Sequence, residues 1–557
     1  MVQSSCLRVY AGCVQHKEAG VALCGWGRDY CRSVAGNPRL LDSTATNPID
    51  SPPRPGRFYL LVAGCALALY LVSVAPGALW QDGGQFQVRV LQRDLLGCFG
   101  LALSHPLYHL VAIAFQILPF GESAFKTNLV SVVFGAVTVA NVALLLALAT
   151  RRLTSALVAA IALAVAHTFW QHCALAETYT LTTALLSTEL LCLLQYARTR
   201  RAGWLVLLLL VNGVGISNHL IALLSLFCYG TLLIVLAIRR QVAFKSILAA
   251  VLCWCVGGGL YWGMVVWQMS GSSDWTAVLR GAFFGDRYAG NVLNTTLGRR
   301  ELVNTFLYLG LNFPTPLILL VPVGLVWLWR REDRLFVGTL VALLGIHFVW
   351  AMRYNVPDQY TFFIPSIVLL AIVMGFGAEW VLVRRPRCKS VLIAAAILPV
   401  LVYLPLPYVA RAAGLDLGLA RQIPFRSEYE YFLHPFKTRD HGPEQFVEYL
   451  GSMLPTDAVL IADGTTVRPI HYFQLTGRWR PDLTVYPALD EAGSEGRFPD
   501  ESELRDALEQ GRVYVVTPQP GYCPKWLLDQ HNFEPAGHIY RVTGPRMPAS
   551  VPEIPAP

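Results

Sequence analysis

The sequence predicts a polytopic α-helical membrane protein with about 11 transmembrane helices and a small α/β domain at its C-terminal end. Of the 557 residues, 54% are hydrophobic and only 14% are charged, whereas soluble globular proteins carry about 25% charged residues. Many apolar runs approach the roughly 20 residues that a bilayer span needs. Beyond residue 410 these runs stop, and shorter alternating segments follow.

Residues 1–57 are polar and end in a stretch rich in proline and arginine, which indicates a disordered cytoplasmic tail. The four cysteines of this stretch include no CxxC pair, so a zinc site is not favoured. Because the first 50 residues contain no apolar core of a signal peptide, we expect the first span, which begins near Phe58, to act as an uncleaved insertion signal.

Residues 58–409 are predicted to form the transmembrane domain. The eleven predicted spans lie near 58–76, 126–149, 153–170, 175–197, 203–216, 218–238, 245–268, 303–329, 334–351, 359–383 and 389–409. Segment 95–118 is expected to be re-entrant, interfacial or a hairpin, because Pro106 interrupts it after Ser104 and His105. Segments 203–216 and 218–238 are short, and glycines suggest a break near 212–215.

Basic residues between the spans predict the orientation of the chain. With the N-terminus in the cytoplasm, all six basic clusters face the cytoplasm, as the positive-inside rule requires. The clusters are Arg54/Arg57, Arg151/Arg152, Arg198/Arg200/Arg201, Arg239/Arg240/Lys245, Arg330/Arg331/Arg334 and Arg384/Arg385/Arg387/Lys389. The C-terminus is then extracytoplasmic, and we expect a cell inner membrane location. Short clusters of this kind argue against a nucleic-acid partner despite the net charge of +8.

Residues 410–545 are predicted to form the small extracytoplasmic α/β domain. Alternating apolar residues predict strands at 458–462, 483–486 and 513–516. Helical spacing predicts amphipathic helices at 444–450 and 503–510. Residues 546–557 are expected to be a disordered proline-rich tail.

Polar residues other than the basic clusters that orient the chain lie mostly on the predicted extracytoplasmic side. Such residues at a membrane boundary are functional candidates by default. The candidates are Asp82, His105, His109, Glu177, Tyr179, His219, Arg353 and Asp358.

Asp82 follows the first span and precedes Gly83 and Gly84. An open glycine backbone would suit the close approach of a substrate, and the carboxylate could act as a general base on a hydroxyl group. The alternative is an interfacial aspartate that caps the following helix.

His105 and His109 lie four residues apart and share one helix face. They suit hydrogen bonds to a phosphate or a sugar hydroxyl, or alternatively a buried contact between helices. The spacing lacks a third ligand and does not match a zinc site, so the need for a divalent metal stays open.

Glu177 begins a predicted helix, where the dipole favours a carboxylate, and Tyr179 follows it. Glu177 is therefore either structural or a second acidic group near Asp82. His219 lies with Asn218 inside an apolar run, where a polar pair is expensive, and this favours a functional role.

Arg353 is a cation on the predicted outer side, against the topological trend, and Asp358 lies in the same short loop. An arginine at headgroup level offers two parallel hydrogen bonds to a lipid phosphate. The alternative is a side chain that snorkels to lipid headgroups. The chain contains no Gly-rich phosphate loop, so ATP-driven transport is not expected.

Six segments occur in a fixed order within residues 58–380. They are 80–86 (WQDGGQF), 104–109 (SHPLYH), 118–122 (LPFGE) with Asn128, 176–179 (AETY), 213–220 (GVGISNHL) and 354–365 (YNVPDQYTFFIP). Together they resemble the transmembrane protein 260-like family of protein O-mannosyltransferases, within the GT-C superfamily of glycosyltransferases.

The resemblance implies a GT-C fold, a polyprenyl-phosphate-linked sugar as donor, and an acidic residue of the first outer loop as catalytic base. That role falls on Asp82. The family pattern continues with a small hydroxyl residue, Gly and Glu, whereas this chain has Gly83 and Gln85 at the first and last of these positions. A second carboxylate is therefore missing, which leaves metal dependence and the acceptor open.

In the resulting interpretation, His105, His109 and Arg353 are expected to contact the lipid phosphate or the sugar. The remaining substrate-binding candidates, which shape the site, are Glu177, Tyr179, His219 and Asp358. Expected partners are the lipid-linked donor, a protein or glycan acceptor and membrane lipids. The alternatives are a transporter or flippase, which would place its polar residues near the midplane, and a non-catalytic subunit that keeps the fold.

Overall fold

The computed structural model describes residues 55–285, 289–488 and 501–545. All of them belong to one compact unit, residues 52–557. Residues 1–54 of the predicted tail 1–57, and the predicted tail 546–557, lie outside the described residues, whereas residues 55–57 begin the first helix.

The membrane region is built from helices joined by short connections. In chain order they are α1 (Pro55–Leu71), α2 (Gln81–Gln92), α3 (Pro106–Phe115), α4 (Ser123–Thr150), α5 (Leu153–Ala164), α6 (His167–Cys173), α7 (Tyr179–Thr199), α8 (Gly203–Asn218), α9 (Ala222–Ile238), α10 (Phe244–Gly257), α11 (Gly259–Gly271), α12 (Trp275–Phe284), α13 (Ala289–Val292), α14 (Arg299–Asn312), α15 (Leu320–Arg331), α16 (Arg334–Arg353), α17 (Ile364–Arg384), α18 (Lys389–Tyr403) and α19 (Leu406–Ala412). The 3-10 helices in this region are Leu101–Leu103, Pro316–Leu319, Gln359–Phe363 and Pro386–Cys388.

Several of these helices can cross a membrane. Within the described residues, four are long and apolar enough, or up to seven if each of three bent pairs counts as one span. The pairs α5–α6, α10–α11 and α14–α15 bend by 71°, 65° and 117°. The predicted count of eleven is therefore not confirmed. The span Gln359–Arg384 is buried along its whole apolar length, so other helices surround it.

The predicted break at 212–215 is wrong, because α8 continues to Asn218 and the chain turns at His219. A Cβ atom on Gly213 would lie 2.3 Å from the carbonyl oxygen of Trp254, and one on Gly257 would lie 2.4 Å from that of Leu210. These glycines let α8 and α10 approach closely, as small residues do between membrane helices.

Several of the predicted cytoplasmic basic residues that the structure describes lie together at one end of the bundle. Arg152, which immediately precedes α5, pairs with Glu379 on α17 at 3.2 Å. Arg200 pairs with Asp333 across the ends of α7 and α16. This clustering agrees with the positive-inside pattern, and the side of the membrane that this end faces stays a prediction.

The C-terminal region forms a five-stranded sheet with helices. The helices are α20 (Glu428–Leu433), α21 (Gly442–Met453), α22 (Val467–Leu475), α23 (Glu501–Glu509) and α24 (Lys525–Gln530). The strands are β1 (Val459–Ala462), β2 (Thr484–Pro487), β3 (Val513–Val515), β4 (His531–Ala536) and β5 (Ile539–Pro545). Their order is β2-β1-β3-β5-β4. The three predicted strands and both predicted helices are confirmed within a few residues.

Strands β1, β2 and β3 are parallel, with Leu460 opposite both Val485 and Tyr514. Strand β5 runs antiparallel to β3 and β4. β4 and β5 were not predicted, because β4 is an edge strand that contains Glu534 and Pro535 and shows no clean alternation.

The C-terminal region is attached to the end of the bundle that carries α2. The amide N–H of Ala124 donates to the Tyr472 hydroxyl at 3.0 Å, which joins α22 to the start of α4. The amide N–H of Lys437 donates to the carbonyl oxygen of Ser73 at 2.7 Å. Because Arg151 lies just past the other end of α4, the C-terminal region and the basic end are at opposite ends of the bundle.

Candidate functional site

The loop before α2 is held by two buried amides. The Gln87 side chain accepts from the Leu79 N–H at 3.0 Å and donates to the Gly77 carbonyl oxygen at 3.1 Å. Asn128 donates to the carbonyl oxygens of Ala75 and Gly77 at 3.0 and 3.2 Å. Gln87 also donates to Asn128 at 3.0 Å. These bonds fix the point at which α2 begins.

Asp82 lies in the first turn of α2 and is exposed. The N-cap position is Trp80, so Asp82 is not the capping residue of the alternative interpretation. A carboxylate at this position is stabilised by the positive end of the helix dipole.

The predicted open backbone around Gly83 and Gly84 is wrong, because both glycines are buried. A Cβ on Gly84 would lie 2.2 Å from the carbonyl oxygen of Leu79, and one on Gly83 would lie 2.7 Å from the Leu79 Cδ1 atom. The glycines therefore serve the close packing of α2 and do not leave room for a substrate.

The negative charge of Asp82 contributes to raised pKa values of Glu177 and Asp358. Burial, followed by the negative charges of Asp82 and Asp358, raises the pKa of Glu177 well above its usual range. Burial, followed by the charge of Asp82, raises the pKa of Asp358 to about 7. The structure thus brings together three carboxyl groups that are far apart in the sequence.

Hydrogen bonds fix the backbone beside both buried acids. The Glu177 N–H donates to the Ser131 hydroxyl at 3.0 Å, and this hydroxyl donates to the Glu177 carbonyl oxygen at 3.1 Å. Gln359 donates to the carbonyl oxygen of Met352 at 2.8 Å, which closes the loop that carries Asp358.

A row of aromatic rings lies beside the carboxyl groups. The ring centroids of His105 and His219 are 4.9 Å apart, those of His219 and Tyr179 are 5.4 Å apart, and those of Tyr179 and His172 are 5.5 Å apart. Thr361 donates to the Tyr179 hydroxyl at 3.1 Å. Because Tyr179 and Thr361 follow Glu177 and Asp358 by a few residues, the row and the acids form one site.

The backbone of Asn218 connects two members of this row. His105 Nδ1 lies 2.9 Å from the Asn218 carbonyl oxygen, and His105 has a left-handed backbone with φ 48°. The Asn218 side chain donates to Thr182 Oγ1 at 2.8 Å.

His109 lies one turn further along α3, outside the row. Its Nδ1 is 3.0 Å from the His105 carbonyl oxygen, and its ring contacts Phe86 at 5.5 Å. It is fully buried, and its Nε2 has no hydrogen-bond partner in the described part of the chain.

Arg353 holds a neighbouring loop. Its Nη1 donates to the carbonyl oxygens of Val292, at 2.7 Å, and Asn294. Asn294 in turn donates to the Arg353 carbonyl oxygen at 3.0 Å. The predicted contact of this guanidinium with a lipid phosphate stays a prediction.

Residues 426–437 border the site from the C-terminal region and were not predicted from the sequence. Gln171 on α6 donates to the Tyr431 carbonyl oxygen at 3.2 Å. Arg426 stacks over the Tyr431 ring at 4.3 Å, and Lys437 Nζ donates to the carbonyl oxygen of His434 at 2.8 Å. Burial lowers the pKa of Lys437 to about 7. In the sequence, nothing distinguishes these cations from surface residues of a polar region.

Arg89 on α2 is a second missed residue. It is 2% exposed and donates to the Ser104 carbonyl oxygen at 2.9 Å, so it fixes the turn that precedes His105. Its guanidinium also lies 3.4 Å from the carboxylate of Asp94. Among the described residues, no group of three or more His, Cys, Asp or Glu side chains is arranged to hold a metal ion.

Comparison with protein families confirms part of the resemblance. Residues 104–242 match the family model described as "Protein O-mannosyl-transferase TMEM260 N-terminal domain". This stretch contains His105, His109, Glu177, Tyr179 and His219, whereas the other three candidates lie outside it. No curated protein matches the chain significantly.

Solved structures show the fold. The crystal structure of ArnT from Cupriavidus metallidurans in the apo state has a TM-score of 0.58 at 13% identity, over 87% of this chain and 97% of ArnT. ArnT bound to undecaprenyl phosphate has a TM-score of 0.53 at 12% identity, over 89% of this chain and 100% of ArnT. The chain therefore has the fold of ArnT, which agrees with the fold class that the resemblance implies.

Proposed function

We propose that the chain is a membrane glycosyltransferase that moves a sugar from a polyprenyl-phosphate donor to a hydroxyl acceptor. The observation that carries this proposal is the convergence of Asp82, Glu177 and Asp358 beside the aromatic row, at the end of the bundle that holds the C-terminal region. The GT-C fold and the match to the O-mannosyltransferase family model support it.

Asp82 is the general base of the proposed reaction. Its exposed carboxylate takes the proton of the acceptor hydroxyl as the acceptor oxygen attacks the anomeric carbon. The bond between that carbon and the phosphate oxygen breaks, and the lipid phosphate leaves as a stable anion with inversion at the sugar. The protein therefore mainly positions the reactants and stabilises charge.

Glu177 and Asp358 have a different role, because their raised pKa values favour the protonated form. A protonated carboxyl donates a hydrogen bond, which suits a sugar hydroxyl or an anionic phosphate oxygen. Glu177 and Asp358 also provide carboxyl groups near Asp82, where the family pattern has a glutamate and this chain has Gln85.

The aromatic row and the histidines are proposed to bind the sugar. Tyr179 and the imidazoles of His105 and His219 present apolar faces for a sugar ring and nitrogen or oxygen atoms for its hydroxyls. His109 does not reach the sugar in this scheme; it positions His105 through the contact of its Nδ1 with the His105 carbonyl oxygen. Arg353 is proposed to reach the donor phosphate with the guanidinium nitrogens that do not hold the loop.

The donor, the acceptor and the location are parts of the same proposal. ArnT was solved with undecaprenyl phosphate, which supports a polyprenyl-phosphate donor here. The family description supports mannose as the sugar and a protein Ser or Thr as the acceptor. The C-terminal region is positioned to present the acceptor, because the Thr465 carbonyl oxygen accepts from the Gln81 N–H, beside Asp82, at 3.4 Å. We place this end on the extracytoplasmic side of the cell inner membrane; a divalent metal is not required by this scheme.

The test uses purified full-length protein in lipid nanodiscs with a panel of polyprenyl-phosphate sugars and Ser/Thr peptides. Transfer and release of lipid phosphate are measured for the wild type, Asp82→Asn and the exposed control Asp529→Asn. We expect Asp82→Asn to abolish transfer at normal expression and thermal stability, and Asp529→Asn to match the wild type. Transfer by Asp82→Asn at the wild-type rate would refute the mechanism. Donor binding without transfer by the wild type would favour a flippase or a non-catalytic subunit.

A further inference from the structure

A second polar cluster lies inside the membrane region, away from the carboxyl groups of the candidate site. Glu189 on α7 is 2% exposed. Its carboxyl oxygens accept from the Tyr229 hydroxyl at 2.8 Å and from the Asn212 amide at 3.2 Å. Trp254 donates to the Asn212 oxygen at 3.2 Å, so helices α7 to α10 all contribute to this cluster.

Glu189 and His347 line one small cavity. Its other polar side chains are Thr182 and Ser225, and the rest of the lining is apolar or backbone. His347 Nε2 lies 3.0 Å from the Ser225 hydroxyl. His347 is 2% exposed, and its Nδ1 has no hydrogen-bond partner among the described residues.

Within the described part of the chain, no ion pair compensates a charge on Glu189, because its hydrogen-bond partners are a phenol and an amide. The other titratable groups around it are Tyr229, Cys192 and Cys228, which are neutral near pH 7. A buried carboxylate without a cation is strongly disfavoured, and such a group takes up a proton instead. A protonated Glu189 then has an O–H group that needs an acceptor.

His347 Nδ1, which has no hydrogen-bond partner among the described residues, can act as the final acceptor for this O–H group. Glu189, whose O–H group needs an acceptor once it is protonated, and His347 line the same cavity, and a buried water is stable where two or more polar groups bond to it. One water that bridges the Glu189 carboxyl and His347 Nδ1 satisfies both.

We propose that Glu189 and His347 share one proton through a bridging water, and that this cavity is a proton-binding site inside the membrane region. The inference is independent of the proposed function. It bears on the candidate site because Thr182, which lines the cavity, accepts from Asn218, whose backbone holds His105.

The test is infrared difference spectroscopy of the purified full-length chain in H2O and D2O. We expect a band of a protonated carboxylic acid that shifts on deuteration. The band is lost in Glu189→Gln and kept in the control Glu509→Gln, whose side chain is exposed. In Tyr229→Phe and in His347→Phe the band should persist but move in frequency, because the first removes a donor to the Glu189 carboxyl and the second removes the acceptor of the bridging water.

Three results would overturn the proposal. The first is that no carboxylic acid band is lost in Glu189→Gln, which means that Glu189 is ionised. The second is that His347→Phe leaves the band unmoved, which means that the histidine takes no part. The third is a rise in unfolding temperature with sodium chloride but not choline chloride, in the wild type but not in Glu189→Gln, which assigns the cavity to an alkali cation.

Discussion

Replacing Gly84 by alanine should displace the helix that carries the proposed catalytic base. The new Cβ would lie 2.2 Å from the Leu79 carbonyl oxygen and 2.9 Å from the Arg468 Cβ. Ordinary contacts of a Cβ begin near 3.4 Å, so the start of α2 must move by more than 1 Å, because the carbonyl belongs to a loop that Gln87 and Asn128 hold in place.

Overpacking of this kind costs about 1–3 kcal/mol of folding stability, and alanine recovers only about 0.5–1 kcal/mol through its better helix propensity. A displacement of about 1 Å near the reacting atoms can lower the rate about 100-fold. We therefore expect Gly84→Ala to reduce kcat about 100-fold and to lower the unfolding temperature only modestly.

The assay measures lipid-phosphate release and thermal unfolding on the same preparations. Gly64→Ala is the matched control, because a Cβ on Gly64 meets nothing within 4 Å. If Gly84→Ala and Gly64→Ala both behave like the wild type, then α2 is not packed against Leu79 as described, and the assignment of the site around Asp82 fails.

Three further predictions concern the buried acid and the attachment of the C-terminal region. Because burial and the charge of Asp82 raise the pKa of Asp358 to about 7, this carboxyl is protonated at about pH 6 and ionised at about pH 8. The added negative charge should raise the KM for an anionic lipid donor across this interval, and a pH series of initial rates should show no such rise in Asp358→Asn. Tyr472→Phe should lower the free energy of unfolding by about 1–3 kcal/mol, since it leaves the buried N–H of Ala124 without an acceptor; equal thermal unfolding of both proteins would contradict the contact. A double-mutant cycle on Arg478 and Glu122, whose side chains are half exposed and 2.7 Å apart, should give a coupling of less than about 1 kcal/mol.

Much of the membrane fold could be predicted, because apolar length is a local property of the sequence. The strongly apolar α4 and α17 and the three parallel strands were predicted close to their observed bounds. Glycines were misinterpreted for one physical reason. Gly84 and Gly213 lie where another backbone approaches closely, and a sequence does not show which segment approaches.

In the candidate site, too, individual residues could be predicted from the sequence, whereas their arrangement could not. Asp82, Glu177 and Asp358 could each be selected because a carboxyl group at a membrane boundary is conspicuous. Their mutual electrostatic influence could not be predicted, since it depends on how α2, α7 and the loop before α17 meet. The burial of Lys437 could not be predicted, because it arises from contacts with Ser73 and Tyr431 that the sequence does not reveal.

The packing of α22 against α2 links the site to the order in which the chain is made. Asp82 leaves the ribosome long before Arg468, which lies against Gly84. Because chains acquire structure from the N-terminus during synthesis, we expect the surroundings of Asp82 to stay incomplete until α22 has been translated and docked. The site proposed for catalysis is thus completed only late in the biogenesis of the chain, after the membrane helices have been inserted.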